Sequence, residues 1–166
     1  MINGYYALAQ RIRLECDELE PILAAIQRHW QRSKTATDQD AYLNSVALNL
    51  HGFYAGLERM FELIAVDLDQ IKLGGEHWHS ELLRQMTINL PKIRPPVLSR
   101  ETAEQLDHYR RFRHLIRNIY TTNLVPSELE KLVVPLPQLW SQIREQLDAF
   151  ADYLDQLSHA DEDEKA

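Results

Sequence analysis

Apolar residues recur three and four positions apart along almost the whole chain, which is the pattern of α-helices that bury one face. Only the pair Val133 and Val134 has the composition of a strand. The pattern therefore predicts an all-α fold, an antiparallel bundle of about four or five helices without a sheet.

The first half of the chain predicts two long helices. One covers residues 5–32, where Pro21 either kinks the helix or divides it in two. The other covers residues 40–73, and Gly74 with Gly75 follows as a C-terminal stop. Because each carries a continuous apolar stripe, we expect them to pack antiparallel. The stripe of the first comprises Leu8, Ile12, Cys16, Leu19, Leu23, Ile26 and Trp30.

The second half predicts shorter elements, separated by prolines and polar residues. They are a helix at residues 78–90, an extended connector at 92–98, a helix at 99–120, a helical turn at 127–130 and a last helix at 137–157. Residues 159–166 are acidic and lack a large apolar side chain, so we expect a disordered, solvated tail. The chain thus divides into one helical domain, residues 1–158, and this tail.

Length, cysteine content and charge narrow the class of protein. A chain of 166 residues is one ordinary domain. Its single cysteine, Cys16, cannot close an intramolecular disulfide, and no apolar run approaches the ~20 residues of a membrane span. We therefore expect a cytoplasmic protein without membrane contact. The net charge of −7 argues against indiscriminate coating of nucleic acid, so any site for a polyanion must be local.

One predicted helix contains such a local site. Residues 108–120 include four arginines and no acidic residue. At helical spacing, one face carries Arg110, Arg113, Arg117 and Tyr120. Aligned guanidinium groups can clamp a phosphodiester through parallel hydrogen bonds. The alternative is that these arginines are solvated charge on the surface of a bundle.

The same helix resembles a known family. Residues 109–120, YRRFRHLIRNIY, are similar to the active-site helix of HepT-like HEPN proteins, the ribonuclease toxins of HEPN/MNT toxin–antitoxin systems. The similarity covers about residues 45–124 and includes the segments 48–61, 75–83 and 93–99. The resemblance implies a HEPN-type helical bundle and a homodimer in which two copies of the motif helix line one cleft.

The functional motif of that family is Arg-x4-His-x-Tyr. Arg113 and Tyr120 match its ends, but Asn118 stands at the histidine position. The resemblance implies metal-independent endoribonuclease activity without a cofactor, in which Arg113 clamps phosphate while Asn118 and Tyr120 position the RNA. An amide cannot transfer a proton, so activity would be weakened unless the histidine one turn earlier compensates. The candidate supporting residues are Arg110, His114 and Arg117.

The resemblance also implies a partner. HepT-like toxins of type II or type VII-like modules are neutralised by an MNT-type nucleotidyltransferase antitoxin, which transfers AMP to the motif tyrosine. Here that residue is Tyr120, where an adenylyl group would occupy the arginine clamp and exclude RNA phosphate; the alternative role for Tyr120 is packing at the helix end. Asn118 favours a second interpretation of the whole chain, a catalytically degenerate binding module that partners a nucleotidyltransferase without cleaving RNA.

A further group of polar residues lies at the start of the third predicted helix. It contains Glu76, His77, His79 and Glu81. Histidines two positions apart point to opposite sides of a helix, and only His77 and Glu81 have the spacing of a shared face. We therefore expect no metal site, and interpret Trp78 as a core anchor.

The second predicted helix also carries polar side chains. His51 is interpreted as a histidine satisfied within the core or a groove. Glu58 and Arg59 are adjacent and are interpreted as solvated charge. Neither position is assigned a function.

Overall fold

The computed structural model describes residues 2–118 and 124–165. Its helices are α1 (Ile2–Ser33), α2 (Gln39–Asp67), α3 (Trp78–Gln85), α4 (Arg100–Asn118), α5 (Pro126–Val133) and α6 (Leu136–Asp163). The four long helices form a bundle, and the short helices α3 and α5 connect them. The described residues contain no strand, only an isolated antiparallel bridge between Leu90 and Arg94. The predicted all-α bundle is confirmed.

The core is centred on α1, which packs against both α2 and α6. Every residue of its predicted apolar stripe is buried, and each large apolar side chain removed from water contributes ~1.5–3 kcal/mol. The helix is continuous through Pro21, so the proline does not divide it. Cys16 is buried in this core, and burial raises the pKa of its thiol to about 12.

Both α2 and α3 end earlier than their patterns predict. α2 ends at Asp67 instead of continuing to residue 73, and Ile71 is 38% exposed rather than buried. α3 ends at Gln85 instead of continuing to residue 90. There the carbonyl of Met86 accepts hydrogen bonds from the backbone N–H groups of Val97 and Leu98. Pairing with the following connector thus replaces the last predicted turns of α3.

A buried ion pair holds this region together. Nε and Nη2 of Arg94 each donate to one oxygen of Asp69, both at 2.6 Å. The remaining guanidinium donors reach the carbonyls of Gln85, Ile88 and Pro95. Both side chains of the pair are fully buried. After α2 the backbone of Gln70 is left-handed, with φ 54°, and the N–H of Ile71 donates to the carbonyl of Ala65 at 3.0 Å. This turn ends the helix early, and Asp69 meets Arg94 from within it.

Helix α4 is fixed at both ends of its buried face. At its start, the Oγ of Ser99 accepts a hydrogen bond from the N–H of Thr102 at 3.1 Å, as an N-cap does. Further along, the hydroxyl of Tyr109 donates to the carbonyl of Leu132 at 2.6 Å. α4 packs against α2 and α3, so part of its arginine-rich segment faces those two helices.

The C-terminal residues differ from their prediction. α6 continues to Asp163, which corrects the prediction of a disordered tail from His159. The preceding turns are anchored by core residues such as Leu154, and adding turns to an existing helix costs little compared with starting one. None of the helices in the described part of the chain is long and apolar enough to cross a membrane.

Candidate active site

A buried carboxylate, Glu58 of α2, lies at the centre of the candidate site. Only 4% of its side chain is exposed, so its interpretation as solvated charge is wrong. One oxygen accepts a hydrogen bond from Nη1 of Arg113 on α4. The other lies 2.8 Å from Nδ1 of His79 on α3. A buried carboxylate is tolerated only when it is paired and hydrogen-bonded, and here two side chains from two different helices satisfy it.

His79 is held in one orientation from two sides. Its ring lies against that of Trp78, with ring centres 3.7 Å apart and planes 30° from parallel, and its Nδ1 faces Glu58. A carboxylate can only accept, so the hydrogen of the neutral ring is assigned to Nδ1. This assignment leaves a lone pair on Nε2, and within residues 4–116 and 124–165 no side chain hydrogen-bonds that atom. The imidazole is 24% exposed.

Arg113 is less completely satisfied than a structural arginine. Its side chain is 18% exposed. Nη1 is bound to Glu58, whereas Nε is buried without a hydrogen-bond partner among the described residues. Because part of the guanidinium is exposed, an oxyanion can approach it and receive hydrogen bonds without first breaking the ion pair with Glu58.

These groups border a small pocket. It is lined by His79, Arg110, Arg113 and His114. Its volume is about 20 Å³, which is enough for about one water molecule. The pocket can therefore receive an oxygen of a phosphate group whose remainder lies outside, but not a nucleotide base.

The arginine-rich segment is more neutralised than its sequence implies. Nε of Arg110 lies 2.6 Å from one oxygen of Asp107, and Nε of Arg111 lies 2.8 Å from the other. With Glu58 on Arg113, two carboxylates oppose three guanidinium groups and leave a charge of 3 − 2, or +1. The three arginines at residues 110–113 are therefore largely neutralised by carboxylates.

The structure brings together part of the predicted site. Arg110 and Arg113, which their spacing predicts on one face, border one pocket, and His114, expected on a neighbouring face, borders it as well. The side chains of Arg117 and Asn118 lie outside the described residues, as does the whole of Tyr120. The roles predicted for all six residues remain predictions.

Sequence reasoning missed two residues of the site, Glu58 and His79. They are 21 positions apart, and Glu58 is 55 positions from Arg113. One signal was available for Glu58, since it follows the buried Tyr54 by one turn and precedes the buried Phe61 by three residues. At helical periodicity, that position belongs to the buried side of α2.

A second, larger concavity lies on another face of α4. It has a volume of about 980 Å³ and a mostly apolar lining. Two exposed leucines border it, Leu48 on α2 and Leu115 on α4, which are 69% and 52% exposed. Apolar area of this extent outside the core is typical of an interaction surface.

The residues at the start of α3 have different surroundings. His77 is exposed, and its carbonyl, not its ring, accepts hydrogen bonds from Ser80 and Glu81. Trp78 is partly buried and packs against the core. In the described part of the chain, no three His, Cys, Asp or Glu side chains form a group that could hold a metal ion.

Comparison with known proteins identifies the family. A family model described as HepT-like protein matches residues 45–154, which include Glu58, His79 and Arg113. No curated protein and no solved structure matches the chain. The match covers most of the chain and agrees with the all-α bundle, so the chain belongs to the HepT-like family of HEPN-type proteins.

Proposed function

We propose that this protein is the toxin of a HEPN/MNT-type toxin–antitoxin pair and that it acts as a metal-independent endoribonuclease. The observation that carries the proposal is the pairing of Arg113 and His79 on the two oxygens of the buried Glu58. A phosphate-binding cation and a proton-transfer group are thereby held side by side at one pocket. Family membership supports the same assignment.

In this proposal Arg113 recognises the scissile phosphate. Its free donor capacity faces an oxyanion, and it stabilises the negative charge that accumulates when phosphorus becomes five-coordinate. Arg110, on the same pocket, is a second guanidinium beside the phosphate, with its Nε bound to Asp107. Asn118 and Tyr120 orient the ribose and phosphate, and the complete cleft forms between two protomers.

The test is cleavage of a fluorescently labelled single-stranded RNA by purified protein. Arg113→Ala is expected to lower kcat/KM at least 100-fold, the usual cost of removing one donor to a developing oxyanion. Arg59→Ala is the matched control, because Arg59 is an exposed arginine of α2 outside the pocket. Cleavage that persists unchanged in Arg113→Ala would come from a contaminant and would contradict the proposal.

Neutralisation is proposed to occur by AMPylation of Tyr120 by the partner nucleotidyltransferase. Co-expression with that enzyme and intact mass measurement should show the addition of one or more AMP units. Tyr120→Phe should abolish the added mass, whereas Tyr6→Phe, at a tyrosine that is 55% exposed, should not. Unmodified wild-type protein beside an active partner would leave masking of the cleft as the mode of neutralisation.

The second candidate function is a binding module without ribonuclease activity. It is favoured by Asn118 at the position of the motif histidine and by the neutralisation of Arg110 and Arg111 through Asp107. Stable complex formation with the nucleotidyltransferase, together with intact RNA after incubation with the wild-type protein, would establish this function instead.

A further inference from the structure

We infer that His79 is the general base of this site and supplies the proton transfer that Asn118 cannot perform. The inference deepens the proposed ribonuclease function and rests on it. His79 lies outside the motif helix, on α3, and reaches the site through Glu58. The histidine of the reaction would thus come from a different helix than the arginine.

The first argument is the fixed orientation of the ring. Glu58 binds Nδ1, and Trp78 lies against one face of the imidazole. A carboxylate that accepts from Nδ1 directs the Nε2 lone pair away from itself and stabilises the imidazolium once a proton is taken up. Glu58 is in addition bound to Arg113, so one carboxylate holds both the base and the phosphate clamp.

The second argument is the comparison with the other nearby histidine. His114 borders the same pocket but is exposed at the surface of α4. His79 is about three-quarters buried, at 24% exposure, and contacts a carboxylate that is itself 4% exposed. A base that a buried carboxylate already holds in place is positioned before the reaction begins.

The chemical step is an internal transesterification. Nε2 of neutral His79 takes the proton of a ribose 2′-hydroxyl, and the 2′-oxygen forms a bond to the adjacent phosphorus. The bond from phosphorus to the 5′-oxygen of the next nucleotide breaks, and that oxygen takes a proton from water. The imidazolium then returns its proton to solvent. The products are a 2′,3′-cyclic phosphate and a 5′-hydroxyl, with no net change in protons or electrons.

The experiment compares His79→Asn with His77→Asn. The amide N–H of asparagine can replace Nδ1–H toward Glu58 but cannot act as a base. His77 is exposed and does not line the pocket, so His77→Asn is the matched control. The substrate is a labelled single-stranded RNA, and DNA of the same sequence serves as the probe that binds but lacks the 2′-hydroxyl.

The expected result is a fall in kcat/KM of about 100- to 10,000-fold for His79→Asn, with binding of the DNA probe unchanged within about twofold. The pH profile of the wild-type rate should contain a limb that His79→Asn lacks. Mass spectrometry should identify the cyclic phosphate as the product. His77→Asn should match the wild type.

Two outcomes are distinguishable if the inference fails. Cleavage by His79→Asn at the wild-type rate, with the same pH profile, overturns the role of His79 and leaves the ribonuclease proposal standing. RNA that stays intact with the wild-type protein, although the DNA probe binds, overturns both. A readout independent of activity is the ¹⁵N spectrum of the His79 ring: the inference requires the Nδ1–H tautomer, and observation of the Nε2–H tautomer refutes it.

Discussion

Two arginine–carboxylate pairs can be compared, Arg94 with Asp69 and Arg113 with Glu58. They differ in how many of the arginine N–H donors have a hydrogen-bond partner. In the pair of Arg94 with Asp69, both side chains are fully buried and the arginine also reaches three carbonyls. In the pair of Arg113 with Glu58, the arginine is 18% exposed and its Nε has no partner among the described residues. The saturated pair holds the fold, whereas the unsaturated pair retains donors for a ligand.

The largest effect should come from breaking the saturated pair. Arg94→Met leaves Asp69 buried without its cation, which should lower the free energy of unfolding by ~3–5 kcal/mol. This would be a large part of the stability of an ordinary domain. Urea unfolding at constant pH measures the loss, and Arg59→Met, an exposed arginine, should change stability by less than ~0.5 kcal/mol.

The comparison can be sharpened by replacing both members of that pair. Asp69→Leu combined with Arg94→Met removes the charge that the single variant leaves unpaired. Most of the lost stability should return. A double variant no more stable than Arg94→Met would show that Arg94 stabilises the fold mainly through its hydrogen bonds to the three carbonyls and not through its ion pair.

The next effect concerns the site around the Arg113–Glu58 pair, where Asn118 replaces the histidine of the family motif. In the background of His79→Asn, the change Asn118→His restores the family motif and should raise RNA cleavage by about 100-fold, the contribution of one positioned base. In the wild-type background the gain should be about tenfold or less, because effects of groups with one role are not additive. Asn89→His, at an exposed asparagine of the connector, should change neither rate.

The unsaturated pair should contribute less to folding than the saturated one. Arg113→Met leaves Glu58 with His79 as a remaining partner and with access to water through the exposed side of the site. The expected loss in the free energy of unfolding is ~1–2 kcal/mol, measured by the same urea titration. A loss as large as that of Arg94→Met would remove the distinction between the two pairs.

The smallest expected effect is a difference in stability between variants of two buried tyrosines, Tyr54 and Tyr109. The hydroxyl of Tyr54 has no hydrogen-bond partner among the described residues, and burial together with the nearby Glu58 raises its pKa. The hydroxyl of Tyr109 donates to Leu132. Tyr109→Phe should therefore cost ~1 kcal/mol, while Tyr54→Phe should be neutral or slightly stabilising. Equal losses in thermal unfolding would indicate that Tyr54 is satisfied by an ordered water.

Most of the fold could be predicted from local sequence because an amphipathic helix is specified by residues within a few turns. The buried stripe of α1 was predicted residue by residue, from Leu8 to Trp30. The early end of α2 could not be predicted in this way. The turn that ends it has a left-handed non-glycine residue, Gln70, and contains Asp69, which pairs with Arg94 25 positions later; helical periodicity contains no information about either.

The candidate site divides in the same way. Arg110 and Arg113 lie on one helix, so their spacing alone predicted a shared face, and both border the pocket. Glu58 and His79 come from two other helices. For these two residues the sequence shows only their types and their positions along a helix, which do not predict that they meet. Asp107 was also overlooked, although it precedes Arg110 and Arg111 by three and four positions and neutralises both.

The lone buried thiol in α1 makes the chain a reporter of its own unfolding. Cys16 is fully buried, and a pKa of about 12 leaves almost no thiolate near neutral pH. An alkylating reagent should therefore modify the native protein only when the core of α1, α2 and α6 opens. The labelling rate then follows the opening equilibrium without any added probe, while a cysteine introduced at the exposed Val134 would react at once and leave Cys16 untouched.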